Sequence, residues 1–309
     1  VTESDKTRLS RRLGVFGDLP TRAARGAMHL VPWFLEPPLV AGWTAIFFVI
    51  ASKQRRAVTT NLRALFPEWS RARAIWGAWR VFWNFSVTFV DGLRCETETG
   101  GVDWSVEGQK WFEDLAKKQQ GCMLLTAHMG NYDIAAPMFS TRFGKPLFAV
   151  RSPEREPELQ KIREKEMLEK QRHHPFFRTL YNEEGSMLGI ELARILNEGN
   201  LVAVQGDRVV FEVSPMEVEV EPGLQMTLPK GPLVLARITH APCYPLFITR
   251  IGWRRYQVKI SRPLELPPRR RGDDSEATKI WATTLLEVVR EHWSQWFVFE
   301  EVFRRDSSK

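Results

Sequence analysis

Cysteine is scarce in this 309-residue chain: Cys95, Cys122 and Cys243 stand far apart, with no CxxC and no mixed Cys/His ligand spacing. That usage argues against a disulfide framework and a zinc site, and it fits a reducing compartment. An apolar run long enough to cross a bilayer is also missing. The best stretch, LVAGWTAIFFVIAS at 39–52, stops at Lys53, and Glu36 with Pro37-Pro38 interrupts any extension backwards. A spanning helix needs ~20 apolar residues. No short apolar core followed by small residues marks a secretory leader, while an anchor upstream of Val1 stays open. Internal repeats and a Pro/Gly linker are absent too. No helix-turn-helix, RNA-recognition or zinc-finger pattern points to nucleic acid.

What is present is a globular balance, 43% apolar and 26% charged residues, with a formal net charge of +7 that attracts an anionic partner. Lys53, Arg55, Arg56, Arg63, Arg71 and Arg73 are opposed between them only by Glu68. Trp33, Trp43, Trp69, Trp76, Trp79 and Trp83 crowd the same third of the chain. Tryptophan beside cationic residues suits the headgroup level of a membrane; packing of a helical subdomain is the competing explanation for each ring. The expectation is a basic arm and interfacial helical segment over 1–52, with residues 28–52 lying in the membrane interface rather than crossing it. The second unit runs over 53–309.

Helical periodicity covers 53–94 in two pieces separated by Pro67, and a polar break follows at Glu96–Gly101. Beyond it, apolar strands alternate with amphipathic helices. Strands are expected at 121–128, 145–151, 201–207, 241–250 and 255–266. Helices are expected at 111–120, from Ile134, at 157–172, 186–199, in GPLVLARITH, and as a closing helix over 276–297, with a loop at 267–276. Such alternation predicts a single α/β sandwich around a mostly parallel central sheet, preceded by the N-terminal membrane-associating helices.

Chemistry concentrates in LLTAHMGNYD, residues 124–133, where an apolar strand ends in His128, turns through Gly130-Asn131 and reaches Asp133. Histidine titrates near neutrality and can take a hydroxyl proton, and a carboxylate on its second nitrogen fixes the tautomer. Strand tips of open α/β sheets line ligand crevices. On that reading His128 and Asp133 form a catalytic pair, although His-x4-Asp spacing also arises by chance. Arg151 ends the next strand, and Asp207 with Arg208 ends a third. His173-His174 lacks an acid at a convincing spacing for a metal site, Cys122 reads as core, and Arg269–Arg271 as a solvated loop.

Taken in order, these blocks resemble the glycerolipid acyltransferase superfamily, with its His-x4-Asp signature and downstream arginine and proline-flanked segments. TTNLRALFPEWS (59–70), FWNF (82–85), HMGNYD, LARILNEGNLVAVQGD and SQWFVF (294–299) are closest to the late acyltransferases of lipid A biosynthesis. The likeness spans roughly 55–303. Asp133 stands where that branch usually carries glutamate and the wider superfamily aspartate.

The resemblance implies an O-acyltransferase domain at 53–309 that moves a fatty acyl chain from an acyl carrier protein or coenzyme A thioester to a hydroxyl of a glycolipid or phospholipid, lipid A-type acceptors favoured. His128 would act as base and Asp133 would hold its ring. Asn131, Arg151, Arg163, Asp207 and Arg208 would contact substrate, with no metal and no cofactor beyond the thioester co-substrate. It implies a peripheral or monotopic protein on the cytoplasmic face of the bacterial inner membrane, with a lipid acceptor, an acyl donor and no nucleic acid as partners. The competing readings are a lysophospholipid or other glycosyl-lipid acyltransferase, a non-catalytic basic protein binding membrane or nucleic acid, and a metal-dependent hydrolase.

Overall fold

The computed structural model describes residues 32, 34–95, 101–154, 157–183, 187–209, 215–268 and 274–305. The basic arm at 1–26, Trp33, the polar break at 96–100 and the Arg269–Arg271 loop lie outside the described residues. Three helices open the described chain: α1 (Glu36–Ile50), α2 (Ser52–Leu65) and α3 (Arg71–Cys95). There follow β1 (Asp103–Glu107), α4 (Gln109–Lys117), β2 (Cys122–Thr126), α5 (Tyr132–Ser140), β3 (Leu147–Arg151), α6 (Pro157–His173) and β4 (Phe177–Tyr181). Next come α7 (Leu188–Asn197), β5 (Leu201–Gln205), β6 (Pro215–Glu221), β7 (Leu224–Pro229), α8 (Gly231–Thr239), β8 (Cys243–Gly252), β9 (Arg255–Ile260), α9 (Ser275–Glu291) and β10 (Phe303–Arg305).

Seven strands form one sheet in the order β1-β9-β8-β2-β5-β3-β4, parallel at every pairing except β8 with β9. This is the mostly parallel α/β architecture that the strand–helix alternation predicts. Every residue of β2 is buried, as a strand covered on both faces must be. One face, with Met123, Leu125, Val202 and Phe247, packs on α7, α8 and α9. The other, with Leu124, Leu147, Leu246 and Val258, faces α4 and α5.

Sequence periodicity missed the short pieces. Strands β1, β4 and β10 are five, five and three residues long, and none is a continuous apolar run like the equally short β2. β6 was legible in principle, because Glu217, Glu219 and Glu221 alternate with Val218 and Val220; it pairs with β7, which pairs with β10 on its other side, in a small antiparallel sheet. The closing helix stops at Glu291, not 297; a 3-10 turn at Trp293–Gln295 then redirects the chain. β9 stops at Ile260, short of the expected 266.

Two polar ties bind the helices to this sheet. Buried Asn61 of α2 donates to Glu300 O at 2.7 Å and accepts from the Val302 and Phe303 N–H groups at 3.0 and 3.1 Å. Between α1, α3 and β9, buried Glu36 accepts from Arg254 at 2.8 Å and pairs with Arg94. Beside it lies Asp91, wholly buried, whose Oδ2 accepts from Tyr256 Oη at 2.7 Å while Oδ1 has no partner among the described residues. Burial pushes the Asp91 carboxyl up to about 6, against the Tyr256 hydrogen bond and the charges of Arg250 and Arg254.

A raised carboxyl favours the folded state most when protonated, so this contribution is full at low pH and is lost as the pH rises through about 6. Asp91→Asn, which keeps an oxygen for Tyr256, will be more stable than wild type at about pH 8 by about 1–2 kcal/mol. The gain will fade as the pH falls from about 6 toward 3.8. Urea unfolding across that range measures it; a constant or negative difference contradicts the assignment.

Candidate active site at the strand tips

Parallel pairing of β2 with β5 sets Thr126 opposite Gln205. His128 lies two residues past the first and Asp207 two residues past the second, so equal steps beyond an in-register pair bring them together. The Asp207 Oδ1 atom lies 2.7 Å from His128 Nδ1, and Oδ2 accepts the His128 backbone N–H at 2.7 Å. Oδ2 also accepts the Trp296 indole N–H at 2.9 Å. Asp207 is fully buried and His128 is 8% exposed. Burial alone would raise the Asp207 carboxyl, but the His128 charge and these three hydrogen bonds hold it below the usual carboxylate range. A carboxylate can only accept, so Nδ1 carries a proton, and in the neutral ring Nε2 is the nitrogen with the free lone pair. Among the described residues Nε2 has no hydrogen-bond partner, and His128 lines the main cavity.

Two glycines make this geometry attainable. Gly130 has φ +54°, and a Cβ there would come within 2.4 Å of Ile248 O. At Gly206 a Cβ would meet Leu125 Cδ1 at 2.7 Å and Trp281 Nε1 at 3.0 Å; the Trp281 indole donates to Gly206 O at 2.7 Å. Only glycine lets these turns sit flush against their neighbours.

The expectation that Asp133 holds the imidazole is corrected by this arrangement. Asp133 occupies the first turn of α5, and its Oδ1 accepts from Arg151 at 2.5 Å across to the tip of β3. Burial would raise this carboxyl, but the charges of Arg151 and Lys170 and the Arg151 hydrogen bond keep it well below its ordinary range. Helix α5 begins at Tyr132, so the residue five positions after the histidine projects from a helix start, and the guanidinium there claims it. Of the other expected ligands, Asn131 is 4% exposed and donates to Thr88 O at 3.1 Å, tying the turn to α3. Arg163 donates to Glu166 at 3.0 Å and lies 3.6 Å from Glu154. Arg208 lies 3.5 Å from Glu300, and its buried Nε has no partner among the described residues. All of these except Asp207 and Glu166 line the cavity.

That cavity, about 880 Å³, runs between the sheet face and helices α3 and α5. Its wall includes both ends of β3, Leu147 and Arg151, about 13 Å apart at ~3.3 Å per residue. Near Arg151 it is polar. Away from the strand tips Phe139, Phe143, Leu147 and Phe177 make it apolar. Reasoning from sequence missed Tyr132, whose ring stands edge-on to His128 at 5.5 Å, and Gln205, whose side chain on the cavity wall lies beside the Tyr132 hydroxyl. It also missed Trp296 as a donor. Equal polar steps after the apolar runs LLT and AVQ were the available signal for Asp207; none marked the indole. Cys122 and Cys243 are buried, with thiols pushed up by burial, Cys243 to about 12, and neither lines the cavity. The site therefore sets an imidazole against an apolar chamber that neither of these two cysteines lines.

Asp207→Ala will orphan the buried indole and the His128 N–H, at a cost of about 2–4 kcal/mol. Asp133→Ala will cost less, because Arg151 is partly exposed to water. Since the Asp207 carboxyl is lowered in the fold, its contribution is present above the ordinary carboxylate range and is lost as the pH falls through the folded value. Denaturation midpoints near neutrality and in acid test both statements; equal losses for the two variants would contradict the assignment.

A comparison with curated proteins finds no match. A family model described as bacterial lipid A biosynthesis acyltransferase matches residues 18–305, taking in the strand tips, the cavity walls and the C-terminal segment that reaches Asp207. The match covers nearly the whole chain: the chain belongs to the bacterial lipid A biosynthesis acyltransferase family.

Proposed function

We propose that the protein is a membrane-associated O-acyltransferase that moves a fatty acyl group from an acyl carrier protein or coenzyme A thioester to a hydroxyl of a lipid A-type glycolipid. The observation that carries this reading is the position of His128: Nδ1 is fixed by Asp207, and Nε2, without a partner among the described residues, stands at one end of a chamber whose far wall is apolar. Nε2 takes the proton of the acceptor hydroxyl as its oxygen attacks the thioester carbonyl. Asp207 offsets the imidazolium charge. The tetrahedral intermediate collapses, the C–S bond breaks, and the thiolate leaves with the proton from Nε2. The ester and the free carrier thiol are the products. The Gln205 amide is an available donor to the developing oxyanion. The acyl chain occupies the chamber between Phe139, Phe143 and Phe177.

Arginines at the mouth take a revised role. Arg151 is neutralised by Asp133, so the pair positions polar headgroup atoms as a fixed dipole. Arg208, only loosely held by Glu300, is the guanidinium most open to a phosphate oxygen. Asp133 in place of the glutamate usual in the lipid A branch favours a second acceptor class, a lysophospholipid or another glycosyl lipid.

No described helix is long and apolar enough to cross a membrane. Helix α1 nonetheless exposes Leu39, Ile46, Val49 and Ile50 by more than half, and Trp76 of α3 is 62% exposed. Exposed Lys53, Arg56 and Arg63 lie on α2, and exposed Arg71 and Arg73 lie on α3 with Trp76. Trp69 and Trp79 pack on Trp293 and Phe48 instead, so they serve the fold. An apolar face on α1 with exposed cations on the two helices that follow supports peripheral docking on the cytoplasmic face of the inner membrane, with the segment up to residue 52 as the interfacial element and 53–309 as the catalytic unit.

His128→Ala will lower acyl transfer about 10²–10⁴-fold, with Asp207→Asn also strongly impaired and Asp133→Asn affected chiefly in acceptor KM. Labelled acyl carrier protein and coenzyme A thioesters, offered with lipid A precursor and lysophospholipid acceptors and read by mass spectrometry, give the substrates. Normal turnover by His128→Ala ends this reading. Ile46→Asp combined with Val49→Asp will weaken binding to phosphatidylglycerol-containing vesicles about tenfold or more in sedimentation assays. Unchanged binding removes α1 from the docking surface.

A further inference from the structure

We infer that Trp296 is a positioning residue for the reaction, holding the Asp207 carboxylate in the one rotation that presents Oδ1 to the His128 ring. This rests on His128 being the base. A carboxylate with a single anchor can turn about its Cβ–Cγ bond. Here Oδ2 is held by two donors, the His128 N–H at 2.7 Å and the Trp296 indole at 2.9 Å, so turning breaks both.

The indole is anchored in its turn. Trp296 is 4% exposed, stands edge-on to Phe303 at 5.4 Å and bridges to Met129 through its backbone. Phe297 N–H donates to His128 O at 2.7 Å, so one short segment grips both the histidine main chain and the carboxylate. The segment is itself pinned: Asn84 donates to Ser294 O at 2.9 Å, and the Gln295 side chain accepts from Arg250 N at 2.6 Å and donates to Arg250 O at 2.9 Å. Helix α9 must end at Glu291 for this approach to occur. Trp296 does not line the cavity, whereas Phe297 and Glu300 of the same segment do. Its effect therefore falls on the base, not on substrate contacts.

Two replacements separate the N–H from the ring. Trp296→Phe removes the donor and keeps an aromatic. β-(3-Benzothienyl)alanine at 296 keeps the indole outline and substitutes sulfur for the N–H. In both, long-range ¹⁵N–¹H NMR of the ligand-free protein will show the neutral His128 ring leaving the pure Nδ1–H tautomer for a mixture. Turnover with acyl carrier protein or coenzyme A thioester will fall about ten- to a hundredfold, with KM values for both substrates within about twofold. A merely structural indole predicts that the benzothienyl protein matches wild type in tautomer and kcat; that result overturns the inference, even if Trp296→Phe misfolds. The failures are distinguishable. Normal acyl transfer by His128→Ala removes the proposed function and leaves the tautomer measurement standing. Wild-type behaviour of the benzothienyl protein beside an inactive His128→Ala removes only the role of Trp296.

Discussion

The hydrogen bond between Asp207 and the imidazole of His128 depends on a strand register, and much of the molecule exists to keep that register. β2 and β5 pair in parallel with Thr126 opposite Gln205, and the two polar side chains come from equal steps beyond that pair. A slip of one residue in either strand would turn the apolar faces over and separate the pair. Register is therefore enforced from both sides: Met123, Leu125 and Val202 pack beneath the sheet, and Leu124 and Leu201 above it. Stability and chemistry draw on the same constraint.

Around that pair, burial has two opposite consequences. Asp207 is shut away from water yet stays ionised, because donors and the histidine charge replace the solvent it lost. Asp91, equally buried, has one oxygen without a donor among the described residues, and burial pushes its carboxyl up to about 6. The contrast sets the histidine charge and three hydrogen bonds that outweigh burial at Asp207 against a single hydrogen bond and more distant charges that do not at Asp91. It also explains why the C-terminal segment travels back to the strand tips. Without the Trp296 N–H, Asp207 would move toward the condition of Asp91.

The N-terminal helices join a packing role to an outward one. α3 supplies Phe85 and Phe89 to the cavity wall, and Asn131 ties its Thr88 carbonyl to the turn after His128. α1 packs on α3 through Phe47 and Phe82 while leaving Ile46, Val49 and Ile50 open. One helix thus borders the chamber while its neighbour offers an apolar surface, an arrangement suited to a substrate delivered from a lipid phase.

By itself the sequence determined the layer order, the parallel sheet, the histidine at a strand tip and the family, since apolar periodicity and short motifs are local and survive reading in one dimension. The membership follows from the chain's own blocks: HMGNYD and LARILNEGNLVAVQGD are contiguous, and both fall inside the matched span. Which carboxylate meets the imidazole was decided only in three dimensions. Asp133 is five residues away in the chain but stands on a helix start beside Arg151, while Asp207 is 79 residues away and one strand over. Trp296 arrives from further still. Proximity across a sheet depends on strand order and register, which no local pattern encodes, so the partners of the base became visible only once the strands were laid side by side.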